Sequence, residues 1–177
     1  MKPTNNMKKI VIVGCAGCGK STLAKLLGSN LNLPVFHLDT IYWKANWQQE
    51  DEKIFLEKQL KMLERDSWII DGNYRDTLDL RLKDCDTIIF LDYPRRTAIY
   101  GIYKRYFQYR NKERDTIAKG CPEKIDRSFF KWVWNFRKNA RPIIVDKINE
   151  YKKDKEVLIF KKRKHLKKYL KSINIQK

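Results

Sequence analysis

The chain has 177 residues, enough for one compact domain with a sizeable core and too short for two ordinary ones. It carries 39 basic and 21 acidic residues, a formal charge of +18, which excludes an acidic solvating chain and favours anionic partners. No run approaches the roughly 18 apolar residues of a membrane span, and Met1–Asn6 has no apolar stretch behind a charged start, so the expectation is a soluble, cytoplasmic protein with no membrane partner.

In chain order, the apolar run Ile10–Val13 predicts a first strand, Lys9–Val13. It leads into Gly14-Cys15-Ala16-Gly17-Cys18-Gly19-Lys20-Ser21 and then a helix over Lys20–Leu31 with Leu23, Leu26 and Leu27 on one face. Strand, G-x-x-x-x-G-K-S and helix in that order make a phosphate loop. Glycines let backbone N–H groups turn inward onto phosphate oxygens at the positive end of the helix. Gly14, Cys15, Ala16, Gly17, Cys18, Gly19, Lys20, Ser21 and Thr22 are thus the expected nucleoside-triphosphate site. Lys20 is expected on the β- and γ-phosphates and the Ser21 hydroxyl on Mg²⁺. Cys15-x-x-Cys18 lacks the second cysteine pair of a structural zinc site. A thiol at a helix N-terminus is expected to have a lowered pKa, so oxidation of these cysteines would block the loop.

Strand Val35–Leu38 follows and ends in His37-Leu38-Asp39. Asp39 is a candidate to accept a proton from, or to orient, an acceptor hydroxyl; a helix N-cap is the alternative. His37 reads as a packed strand residue. After helix Glu50–Arg65 comes strand Trp68–Ile70, closed by Asp71-Gly72-Asn73-Tyr74-Arg75. An acid closing an apolar strand suits a Mg²⁺ ligand, so Ser21 and Asp71 are the metal candidates, with a turn cap beside Gly72 the alternative for Asp71, and Arg75 lies close to the acceptor side. A short helix near Thr77–Lys83 and strand Thr87–Leu91 come next. Asp92-Tyr93-Pro94 reads as the start of a helix from about Arg95. The polar stretch Asn111–Asp126, with Gly120 and Pro122, reads as a mobile flap or a plain surface loop. Helix Ser128–Tyr151, strand Val157–Phe160 and helix Lys164–Leu170 complete the chain. Continuous apolar runs such as Ile88–Leu91 suit strands covered on both faces. The class is α/β, doubly wound, with five strands.

Arginine forks grip phosphate where lysine, a point charge, does less. Arg105 lies on the helix entering the flap. Arg137 and Arg141, four apart, are expected on one face of the helix leaving it. Tyr100, Tyr103 and Phe107 share a helical face, and Phe129, Phe130, Trp132, Trp134 and Phe136 cover most of a second helix. Core packing is the expectation for both groups, with base stacking the alternative. From Arg95 to Arg141 there are 14 basic and 4 acidic residues (+10), from Lys147 to Lys177 12 and 3 (+9), and elsewhere 13 and 14 (−1). The back half therefore carries the charge; weak DNA binding through it is one expectation, and a solvated lysine-rich surface is the alternative.

The phosphate loop, Val35–Asp39 with Tyr42-Trp43, Trp68–Tyr74, Thr87–Asp92 with Pro94-Arg95, Gly120–Asp126 and Lys131–Phe136 together resemble the bacterial DNA topology modulation protein family. That family is itself similar to adenylate kinase and other small P-loop kinases. The resemblance runs from about Lys8 to Leu170. It implies a nucleoside-monophosphate-kinase-like fold, a five-stranded parallel sheet covered by helices with a lid at about 106–128, ATP as donor and Mg²⁺. By position, Asp71 and Arg75 match the Asp and phosphate-binding Arg of the Asp-Gly-Phe-Pro-Arg motif, and Arg105 matches an arginine at the lid entrance. Asn73-Tyr74 departs from Phe-Pro, and His37-Leu38-Asp39 stands where adenylate kinases carry Thr-Gly-Asp. The expected activity is transfer of the γ-phosphoryl of Mg·ATP to a small, nucleotide-like acceptor, with Lys20, Asp39, Arg75, Arg105, Arg137 and Arg141 as catalytic candidates. The alternative is a nucleotide-binding regulator that associates with DNA and turns over little or no ATP.

Overall fold

The computed structural model describes residues 7–110, 112 and 114–175. Met1–Asn6, read above for a leader, and Asn111, at the start of the predicted flap, lie outside the described residues. Five parallel strands, β1 (Lys9–Gly14), β2 (Val35–His37), β5 (Trp68–Asp71), β6 (Thr87–Leu91) and β7 (Glu156–Ile159), form one sheet in the order β2-β5-β1-β6-β7. β1 is central because Ile10, Val11, Ile12 and Val13 are wholly buried between helical layers. From β1 the chain crosses to β2 and returns to β5 on one side, then passes to β6 and β7 on the other, and this change of direction opens a crevice at the carboxyl end of β1. Register places Asp71 level with both Ile12 and His37, so the end of β5 lies beside the start of the glycine loop.

Helix α1 (Lys20–Leu31) follows the loop over the predicted span. The stretch between β2 and β5 holds a one-turn helix α2 (Asp39–Tyr42), a two-residue hairpin of β3 (Trp43–Lys44) and β4 (Gln48–Gln49), and α3 (Glu52–Leu63). Strand β5 leads through a tight turn, Arg75–Thr77, into α4 (Leu78–Asp84). The connection that follows α5 (Arg95–Tyr109) holds no helix or strand among its described residues and rests on the hairpin. There the Asn46 amide donates to the Gly120 carbonyl (2.9 Å) and Trp47 Nε1 to that of Pro122 (3.1 Å).

Two expectations are corrected. The helix predicted over Ser128–Tyr151 is two, α6 (Arg127–Asn139) and α7 (Arg141–Tyr151), broken at Ala140. Pro142, in the first turn of α7, lacks the amide that a continuous helix would use. Arg137 and Arg141 therefore do not share a helix face. The aromatics of α5 do not pack in the core either: Tyr100, Tyr103 and Phe107 are exposed, and Ala98 and Ile102 are the buried residues of that helix. Small residues won this face because α5 lies directly on the glycine loop. A Cβ at Gly101 would sit 1.9 Å from the Gly17 carbonyl oxygen, and one at Gly17 would sit 2.4 Å from the Ala98 carbonyl oxygen. On α6, Val133 and Phe136 are buried, whereas Trp132 and Trp134 are exposed. Helix α8 (Arg163–Ser172) closes the chain.

Gly101→Ala should therefore push α5 off the loop. The expected loss is about 1–3 kcal/mol from overpacking, read as a lower urea midpoint, together with weaker nucleotide binding. An unchanged midpoint and unchanged affinity would contradict the close approach.

Candidate functional site

The loop Gly14–Gly19 turns with Gly17 in the left-handed region (φ 77°) and delivers the chain to α1, whose N-terminus has no side-chain cap. Its first amides are left for an external anion. Lys20 is half-buried at the start of α1, with Nζ donating to the Cys15 carbonyl at 3.3 Å. The Ser21 hydroxyl donates to Asp71 Oδ2 at 2.7 Å, so the two predicted metal ligands meet at the mouth of the loop. His37 Nδ1 bonds the other oxygen of the buried Asp71 carboxylate. This histidine, read from the sequence as a packed strand residue, orients Asp71. A hydroxyl beside a carboxylate is a donor set for a hard cation that takes most of its shell from phosphate and water. Among the described residues no three carboxylate, imidazole or thiol groups converge.

The residues after Asp71 are held by bonds that the sequence did not reveal. Asn73 clasps Gly14 twice, its Oδ1 accepting from the Gly14 amide and its Nδ2 donating to the Gly14 carbonyl, both at 3.0 Å. Arg81 of α4 is wholly buried, donating to the carbonyls of Gly72 (2.7 Å), Asn73 (2.8 Å) and Tyr74 (2.9 Å). Burial pushes its pKa down to about 10. Its place between Leu78 and Leu82 on the buried face of a short helix was the only available signal. Tyr74 holds a strained backbone (φ 28°) and donates its hydroxyl to Asp39 Oδ1 at 2.7 Å. Burial, and then the Asp39 charge, raise its pKa. Asp39, at the start of α2, is thereby tied to the turn that follows Asp71. Arg75 lies exposed in the turn beyond, and Thr22 is exposed on α1.

The remaining arginines pair with buried acids. Arg105 donates through Nε (2.7 Å) to Glu123 Oε1, with Nη2 at 2.6 Å from the same oxygen. Arg137 and Arg141, on different helices, both reach Asp92 at the end of β6. Arg137 Nη1 lies 3.1 Å from Oδ1, and Arg141 is bidentate at 2.8 and 2.7 Å. Asp92, read from the sequence as part of a helix start, is thus the anchor of two candidate phosphate grips. Its partners lie 45 and 49 residues away, beyond any local pattern.

The expected acidic thiols are corrected: burial first, and then Cys18, push the Cys15 thiol up to about 12, and burial raises Cys18 as well. Cys85 is likewise pushed up to about 12 by burial. Below the ordinary value of 9.0 these thiols are neutral in both the folded and unfolded states. Between about 9 and 12 the unfolded chain releases protons that the folded one keeps, so stability falls as pH rises through that window. Native Cys15 should react with iodoacetamide at pH 8 on the order of 10²-fold or more slowly than in urea, because only the thiolate attacks. Equal rates would contradict the buried setting.

Central β1, a glycine loop entering an uncapped helix, and an acid at the end of β5 define the P-loop kinase fold. Solved structures agree. The chain is similar to a shikimate kinase from Acinetobacter baumannii in complex with shikimate, at 18% identity over 98% of this chain and 96% of that one, with a TM-score of 0.59. It is also similar to a deoxyadenosine kinase from M. mycoides with bound dATP (16%, 94% and 99%, TM-score 0.53) and a shikimate kinase from Bacteroides thetaiotaomicron (17%, 96% and 97%, TM-score 0.51). No family model and no curated protein matches the sequence, so the likeness to the DNA topology modulation family rests on the residues quoted above, and the comparisons support only the broader fold. No helix among the described residues is long and apolar enough to cross a membrane.

Proposed function

We propose that this chain is a phosphotransferase that moves the γ-phosphoryl group of Mg·ATP to a small, nucleotide-like acceptor. The observation that carries the reading is the Ser21–Asp71 bond at the mouth of the glycine loop, supported by the Tyr74 bond that ties Asp39 to the turn after Asp71. In this reading the loop amides and Lys20 hold the β- and γ-phosphates. Ser21 and Asp71 hold Mg²⁺, which neutralises charge developing on the transferred group. Asp39 accepts the proton of the acceptor hydroxyl or orients it, and Arg75 grips the acceptor side. Arg105, Arg137 and Arg141 close over the phosphoryl group, exchanging part of their bonding to Glu123 and Asp92 for phosphate oxygens.

The segment at about 106–128 acts as the lid of a single domain. Closure over Mg·ATP would keep water from the transferred group. Amide exchange within 114–126 should slow when a non-hydrolysable ATP analogue and Mg²⁺ are added. Unchanged exchange at saturation would reduce this segment to a surface loop. The function itself is tested by measuring ATP consumption against a panel of nucleosides, nucleotides and hydroxy acids. One acceptor should stimulate turnover; none doing so, with ATP bound, would overturn the reading.

A further inference from the structure

Arg114 was not singled out by the sequence and has no part in the donor site. Its side chain is only 9% exposed. Its Nε lies 3.3 Å from Glu123 Oε2 but makes no hydrogen bond, and the other oxygen of Glu123 is taken by Arg105. Two guanidinium groups thus share one buried carboxylate. An excess buried positive charge is costly unless an anion joins it. Burial, and then the neighbouring Arg105, push the Arg114 pKa down, while Glu123 and Asp39 act the other way, and Nη1 donates to the Thr116 hydroxyl at 3.1 Å.

Arg114 also lines an open cleft of about 510 Å³ with Thr40, Asp115, Ile117, Ala118 and Lys119, a size that suits a small metabolite. Asp115, the only acid among these lining residues, is already ion-paired with Lys25, so the wall that faces a ligand is cationic. Thr40 directly follows Asp39, whereas Lys20 and Ser21 do not line the cleft. The Asp39 carboxylate also acts electrostatically on Arg114, which puts it beside the cleft.

Resting on the phosphotransferase reading, we propose that this cleft is the acceptor site and that Arg114 binds an anionic group of the acceptor. The acceptor is then a small hydroxyl compound bearing a phosphate or a carboxylate, not a neutral nucleoside or sugar. Ile117 and Ala118 supply the apolar wall and Asp39 meets the hydroxyl.

The test follows the Nε–H resonance of Arg114 in ¹⁵N-labelled protein, assigned by its absence from Arg114→Gln. With the loop filled by Mg²⁺ and a non-hydrolysable ATP analogue, inorganic phosphate and malonate are titrated separately. One of them should move the resonance saturably, phosphate pointing to a phosphorylated acceptor and malonate to a carboxylate. Arg114→Gln should bind that probe at least about tenfold more weakly, for loss of a charged hydrogen bond. A resonance that neither probe moves, or equal affinity in Arg114→Gln, would overturn the proposal. If the ATP analogue itself does not bind, the phosphotransferase reading fails separately. The phosphate titration is then read on Lys20→Ala protein, where a shift of Arg114 supports the anion site and its absence overturns it.

Discussion

Lys20→Ala should lower the rate of phosphoryl transfer on the order of 10²-fold or more while leaving the fold intact. The lysine contributes one bond, to the Cys15 carbonyl, and its ammonium faces the space where phosphates would lie, so the folded chain loses little. A charged donor aimed at developing charge is worth several kcal/mol in a water-poor site. Because Lys20 tracks the γ-phosphate through the reaction, the loss should fall mainly on kcat and less on binding of ATP. Urea unfolding of the variant should match wild type. Normal turnover would show that the loop is not the catalytic site.

Arg81→Met should cost about 3–5 kcal/mol of stability and most of the activity. The buried guanidinium satisfies the carbonyls of Gly72, Asn73 and Tyr74, and methionine fills a comparable volume without a single donor. At this chain length such a loss lowers Tm by about 6–20 °C. Freed carbonyls would also release the turn that places Asn73 on Gly14 and Tyr74 on Asp39. Asn73→Ala separates the two effects: it should cost only about 1–2 kcal/mol, since it removes two neutral bonds, yet slow transfer up to about 10²-fold through a displaced loop. A stable Arg81→Met protein, or an Asn73→Ala protein at full rate, would show that this turn does not set the geometry.

These two residues also mark where sequence reading stops. Strands β1 and β6 and helix α1 were legible because apolar runs and a glycine-lysine-serine loop are local signals, and the same logic singles out Ser21 and Asp71, which the fold joins by a hydrogen bond. The hairpin over 43–49 was not legible. Its residues are mostly polar and aromatic, and its turn uses Asn46 and Trp47 at positive φ, with neither glycine nor proline to announce it. On α5 size does not mark burial, because contact with Gly17 selects Gly101 and Ala98. Arg81, Asp92, Glu123 and Arg114 were missed for a different reason. Each looks like an ordinary surface charge until the fold removes it from water, and only then does the need for a partner become visible.

If a donor site and an acceptor site face each other across this crevice, the γ-phosphoryl group must pass from one to the other. Purified protein with Mg·[γ-³²P]ATP is incubated with each candidate acceptor at physiological salt, and labelled product is separated from inorganic phosphate. One small anionic hydroxyl compound should acquire the label, and Asp39→Asn and Lys20→Ala should each slow its formation on the order of 10²-fold or more. Label appearing only as inorganic phosphate, or no turnover with any acceptor in a protein that binds DNA tightly and in an ATP-dependent manner, would contradict it.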